Sequence, residues 1–218
     1  MHTHKASDDD GLTLIECLVA LTVIALTVVT IAPMMVFSVA TRVQNQKTEQ
    51  ALRLARGEID KIRLTVEQGG DYSTRLEELS LISSKNSSPL VDVKAPYKFV
   101  ANDPAAVTDI RFAREIDIDA DGDTDFAVQL FRDEGIEVGP ESVPIAFNVG
   151  VRVYDVRAAA NFGDLLEDSA GLAFTSGEGQ RGRRPLAVLY SQITQGDRIS
   201  SLCQAWEFAG STPTDLQC

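Results

Sequence analysis

With 218 residues and 44 % apolar side chains, the chain can bury the core of one ordinary domain plus an appendage, and it is too short for a large multidomain enzyme. Charged residues at 24 % exclude a disordered chain and a polytopic membrane protein. A net charge of −12, from 20 Lys and Arg against 32 Asp and Glu, argues against a nucleic-acid partner, because phosphate binding needs concentrated positive charge.

The mean hydropathy of −0.03 averages over a strong segregation. Between Leu12 and Thr41 the only ionisable side chains are Glu16 and the Cys17 thiol, and Leu18 to Ala40 is almost wholly apolar. At ~1.5 Å per residue such a helix crosses a bilayer core of ~30 Å, whereas buried core helices rarely exceed ~14 uninterrupted apolar residues. A cleaved secretory signal ending at Ser38-Val39-Ala40 is the alternative. Its apolar stretch would be only ~7 to 15 residues, and its leading segment basic rather than carrying Asp8, Asp9 and Asp10. An unpaired Glu16 at the start of a membrane helix costs about 2 to 3 kcal/mol, and no Lys or Arg lies near it in the helix. Its partner is therefore expected from another chain or from a newly made amino terminus. Pro33 removes one backbone hydrogen bond and bends the helix, which membrane helices tolerate. Flanking charge alone, Lys5 before the span and Arg42, Lys47, Arg53 and Arg56 after it, would leave the following domain in the cytoplasm.

No helix breaker follows until Gly69-Gly70. Leu52, Ala55, Ile59, Ile62 and Val66 recur at spacings of three and four, while Arg53, Arg56, Glu58, Asp60 and Arg63 are expected off that stripe. One helix from Leu12 to Gln68 would be ~80 Å long. Two heptads are too few for a coiled coil, so the stripe should pack on the chain's own head.

Beyond Gly70 the period becomes two. Ile145, Phe147, Val149, Val151 and Val153 alternate with more polar neighbours, and Ile110 to Ile116, Phe126 to Phe131 and Leu186 to Ile193 also read as strands. Strands in series without intervening helices predict an antiparallel sheet on the helix stripe, an α+β head. Between two of these strands, Asp117, Asp119, Asp121, Asp123 and Asp125 alternate around Gly122. Carboxylates so spaced can converge on Ca²⁺, which takes six to eight oxygens, and Asp117, Asp119 and Asp121 match the first half of a calcium loop. An EF-hand needs a Glu where Val128 stands, so the alternatives are a different calcium loop or a solvated acidic turn. Gly177 to Pro185, basic and Gly-rich, lacks the ending of a phosphate loop and reads as a flexible connection or as a contact for an acidic neighbour or anionic polysaccharide. Cys203 and Cys218 can close a loop worth ~3 kcal/mol in an oxidising compartment.

Gly11-Leu12-Thr13-Leu14-Ile15-Glu16, leading into the apolar helix, resembles the processing site of type IV pilins and pseudopilins. Longer blocks, among them Ala40-Thr41-Arg42-Val43-Gln44-Asn45, Glu49-Gln50-Ala51-Leu52, the Asp117 to Phe126 loop and Arg184-Pro185-Leu186-Ala187-Val188-Leu189-Tyr190, are similar to the cyanobacterial hormogonium polysaccharide secretion pseudopilins. The resemblance implies a pilin-like fold divided into a leader (1–11), a transmembrane segment (12–41), an amphipathic continuation of the helix (42–68) and a periplasmic β-rich head (69–218). It implies cleavage after Gly11 by a prepilin peptidase, methylation of the amino group of Leu12, and pairing of Glu16 with a neighbouring subunit's amino terminus. Pro33 would be the place where the helix melts in a filament, and the Cys203–Cys218 bond would match the C-terminal staple of some pilins. Processing would remove His2 and His4 and leave no His for a triad or a metal site. With no nucleophile motif and no phosphate loop either, no enzyme is expected. The expected role is a minor subunit, in the plasma membrane or on a filament, that works with other pilins and an assembly platform in polysaccharide secretion and gliding. The alternative is an anchored calcium- or polysaccharide-binding module that never polymerises.

Overall fold

The computed structural model describes residues 13–69, 72–78, 81–83, 89–138, 143–170 and 182–195. Contacts divide the chain into two compact units, Met1–Gln46 and Lys47–Cys218, and one helix, α1 (Leu14–Glu67), contributes to both.

In the first unit the described structure is α1 alone, preceded by Thr13. Its described large apolar side chains, Leu14 to Val36 and Val39, are exposed. The hydroxyls of Thr22, Thr27 and Thr30 donate to the carbonyls of Val19, Ile24 and Thr27, each at 2.8 Å, so the helix satisfies its own polar groups. The helix is long and apolar enough to cross a membrane, and it runs through Pro33 without a break in assignment.

In the second unit α1 continues as a core helix. Ala51, Ala55, Ile59, Ile62 and Val66 are buried, with Leu52 half-buried against them, so the expected stripe faces the sheet. The stripe also includes a residue expected outside it: Glu58 is 1 % exposed. Position 58 lies three after Ala55 and four before Ile62, on the same face, and its charge is met there by Arg114 from the sheet. The helix stops where Gly69 takes a left-handed φ of +66° and its N–H donates to the carbonyl of Val66.

A short helix α2 (Ser73–Glu78) follows, then β1 (Ile82–Ser83), β2 (Lys98–Val100), β3 (Phe112–Ile116), β4 (Phe126–Arg132), β5 (Ile136–Val138), β6 (Val143–Asp155) and β7 (Ala187–Thr194). In the sheet β3 pairs with β2 and β4, β4 pairs with β6, β6 pairs also with β5 and β7, and β1 pairs with β4. The main ladders, β3 with β4, β4 with β6, β5 with β6 and β6 with β7, are antiparallel as expected. The sheet is nevertheless mixed, because the short strands β1 and β2 pair in parallel with β4 and β3. Strands of two and three residues carry no period of their own and take their direction from the segments that bring them to the sheet.

Phe147, Val149, Val151 and Val153 of β6, with Phe126, Val128 and Leu130 of β4 and Ala187 and Ile193 of β7, meet the α1 stripe in the main core. Tyr72 and Leu76 join it, the Tyr72 hydroxyl donating to the carbonyl of Pro144. The opposite face of the sheet is roofed by residues 89–97. Buried Arg152 donates to the carbonyls of Val91 and Val93 and to the hydroxyl of Tyr190, and lies 5.0 Å over the ring of Phe131. Gln129 Nε2 donates to the carbonyls of Lys94 and Ile110 at 2.9 and 3.0 Å. Gly150 leaves the space that the Phe131 ring fills, where a Cβ would overlap ring atoms.

Candidate functional site

Thr13 stands immediately before α1. Its carbonyl accepts from the N–H groups of Glu16 and Cys17 at 3.0 and 3.2 Å, and its Oγ1 lies 3.4 Å from the Glu16 N–H. Glu16 therefore occupies the first helical turn, where the unpaired N–H groups favour a carboxylate. Its side chain is exposed and makes no ion pair among the described residues. Gly11 and Leu12, the expected processing positions, lie outside the described residues, as do Cys203 and Cys218.

The acidic residues form the connection between β3 and β4. The last ladder pair is Ile116 with Phe126, and the N–H of Asp125 closes the neck by donating to the carbonyl of Ile116 at 3.0 Å. Within the loop Asp117 accepts twice, from the N–H of Ala120 on Oδ1 at 2.7 Å and of Gly122 on Oδ2 at 2.9 Å. Asp125 Oδ2 accepts from the Ile118 N–H at 3.1 Å, and Asp119 Oδ1 from that of Asp121 at 3.3 Å. These bonds fold the loop inward through left-handed Ala120 (φ +59°) and Gly122 (φ +95°).

The fold brings Asp117, Asp119 and Asp125 together: each offers a carboxylate oxygen, and the three lie within 4.8 Å of one another. Asp121 and Asp123 are exposed and stand outside this group, Asp121 Oδ1 accepting instead from the Asp123 N–H at 2.8 Å. The separation suits oxygens ~2.3 to 2.6 Å from one hard cation, and an all-oxygen donor set favours Ca²⁺ or Mg²⁺ over softer metals. Of the five carboxylates that alternate in the sequence, Asp125 joins Asp117 and Asp119 because the antiparallel pairing returns it to the mouth of the loop.

The electrostatics of the two central carboxyls diverge. The Gly122 N–H, with the other loop amides, holds Asp117 below its ordinary pKa against the opposing cost of desolvation. Asp119 receives the Asp121 N–H, but repulsion from Asp121, desolvation and the charges of Asp125 and Asp117 prevail and raise its pKa. A cation at the mouth would relieve that repulsion.

Of the basic loop, Gly182 to Pro185 lie among the described residues and 177–181 do not. Arg183 and Arg184 reach Asp164 and Asp168 at 3.4 and 3.7 Å, so this end of the loop is tied to an acidic neighbour within the chain. No family model, curated protein or solved structure matches the chain.

Proposed function

We propose that the chain is a membrane-anchored subunit of a type IV pilus-like or type II secretion-like assembly, a minor pilin or pseudopilin that supports polysaccharide secretion and gliding. The observation that carries this reading is one helix with two solvents. Its first part is apolar and exposed, and its second part supplies the stripe on which a sheet is built. The segment Gly11-Leu12-Thr13-Leu14-Ile15-Glu16 leads into the helix, with Leu14 to Glu16 in its first turn. A helix start that carries a carboxylate with no cation beside it suits a partner supplied on assembly, the amino terminus of a neighbouring subunit. The head then lies in the periplasm or on the filament, and the prepilin peptidase, other pilins and the assembly platform are the partners.

The test is the mature amino terminus by mass spectrometry. Cleavage after Gly11 with methylated Leu12 is the expected result; an intact Met1 or cleavage near Ala40 would sink the reading. Glu16→Ala should leave processing intact and abolish co-purification with partner pilins.

The acidic group favours a second reading, a non-polymerising anchored module that binds Ca²⁺ or polysaccharide. It predicts a Ca²⁺-dependent thermal shift and no change on replacing Glu16.

A further inference from the structure

Two cations that reach the surface, Lys98 and Arg111, lie side by side at the β2–β3 edge of this acidic chain. Lys98 and Arg111 make no ion pair among the described residues, whereas Lys94, Arg114, Arg157, Arg183 and Arg184 of the head each reach a carboxylate. Each of the two lies instead over an aromatic ring, Lys98 Nζ 5.1 Å from the centre of Phe112 and the Arg111 guanidinium 4.9 Å from that of Tyr97. The rings meet edge to face at 5.4 Å, and Tyr97 is 43 % exposed. The surface is held in place from behind: Arg111 Nε donates to the carbonyl of Ala95 at 3.1 Å, and Asp109 accepts from the Arg111 N–H at 2.7 Å and faces the Tyr97 hydroxyl at 3.4 Å. A rigid, half-exposed pairing of cations and rings on an edge strand is built like the centre of a protein contact and calls for an anionic partner.

The strongest anionic segment described lies at the other end of the same strand. Residues 117–125 hold five Asp and no cation. Lys98 pairs with Phe112 at the start of β3, and the loop leaves from Ile116 at its end, about 13 Å away along the strand. The two surfaces lie at opposite ends of the strand, so a second copy can bring one against the other. We propose that the Lys98, Arg111, Tyr97 and Phe112 surface of one copy docks on the Asp117–Asp125 loop of a second copy. Because the two patches differ and lie at opposite ends of β3, the contact is heterologous and adds copies head to tail. The inference rests on the filament-subunit reading and names a contact between its heads.

The test uses the full chain in detergent micelles, mixed from ordinary and ¹⁵N-labelled protein. A carbodiimide activates an Asp carboxyl, the Lys98 amine displaces the resulting urea, and an amide forms only where the two groups touch. Mixed-isotope peptides joining Lys98 to residues 117–125 are expected. Arg111→Glu keeps the Lys98 amine and should lower their yield about fivefold, as the loss of one rim charge pair predicts. Asp121→Arg, at an exposed turn, should do the same on its own, and mixing the two variants should restore the link. Raising the salt from about 0.05 M to about 0.5 M should weaken it. Absence of the link, or a yield indifferent to both variants and to salt, overturns the proposal. So does protection of Lys98 from acylation by polygalacturonate in place of the link, which assigns the surface to a polymer. An amino terminus beginning at Leu12 in a sample without the link overturns the contact and leaves the filament-subunit reading standing.

Discussion

Glu58 is held by two cations of unequal burial: Lys61 Nζ at 2.8 Å, largely in water, and Arg114 at 3.1 Å, with its side chain 12 % exposed. The pair with Arg114 joins α1 to β3 inside the main core, so removing one member strands the other. Glu58→Ala is expected to cost about 3 kcal/mol in chemical unfolding, and the double replacement of Glu58 and Arg114 by Leu to recover most of that loss. Asp155 is a second buried carboxylate. Burial pushes its pKa up, but hydrogen bonds from the Arg157 side chain and N–H, with the charges of Lys47 and Arg157, outweigh burial and hold it below the ordinary carboxylate value. The unfolded chain then binds that proton more readily than the folded one. Its contribution is therefore complete above the unfolded carboxylate pKa of about 4 and is lost as pH falls through the lower folded value. Asp155→Asn should flatten the acid side of the stability profile and cost about 1 to 3 kcal/mol at pH 7, measured by thermal unfolding across pH. The sequence hid Glu58 because a charge reads as surface until its partner, Arg114, distant in the chain, is known.

At the scale of elements, the loop between β3 and β4 sets two carboxyls against each other. Asp119, its pKa raised, costs the folded state once it ionises, so that cost is absent below the carboxylate range and complete above the raised value. Asp119→Asn should therefore leave the cation-free chain as stable at pH 7 or slightly more so. The parent should gain thermal stability in millimolar Ca²⁺, and the variant should gain less, because ligand binding to the folded state adds stability in proportion to its affinity. A Ca²⁺-independent melting temperature in both would leave the loop as a solvated turn. The helix stripe and strands β3, β4, β6 and β7 were legible from periods of 3.6 and 2, with ends within about two residues. Strands β1, β2 and β5 were not, being too short to alternate. Arg152 illustrates the other failure. Its place in β6 reads as outward and polar, and it is outward, but residues 89–97 cross over it and bury it.

For the whole molecule, the near-zero mean hydropathy is the sum of an exposed apolar helix and an acidic head rather than the mark of a uniform soluble protein. If residues 1–11 are cleaved, one Lys and three Asp leave with them and the net charge moves from −12 to −10. The long apolar helix and the α+β class were legible because each rests on long, repeated patterns. The convergence of Asp117, Asp119 and Asp125 and the pairing of rings with Lys98 and Arg111 were not, since both depend on ladder register. The stripe from Ala51 to Val66 has a further consequence, for biogenesis. It is translated well before its partners, and Ile193, which closes the core on β7, follows Val66 by about 130 residues. At roughly 5 to 20 residues per second, the stripe waits on the order of ten seconds for its sheet, so that face of the nascent chain needs shielding until the last strand arrives.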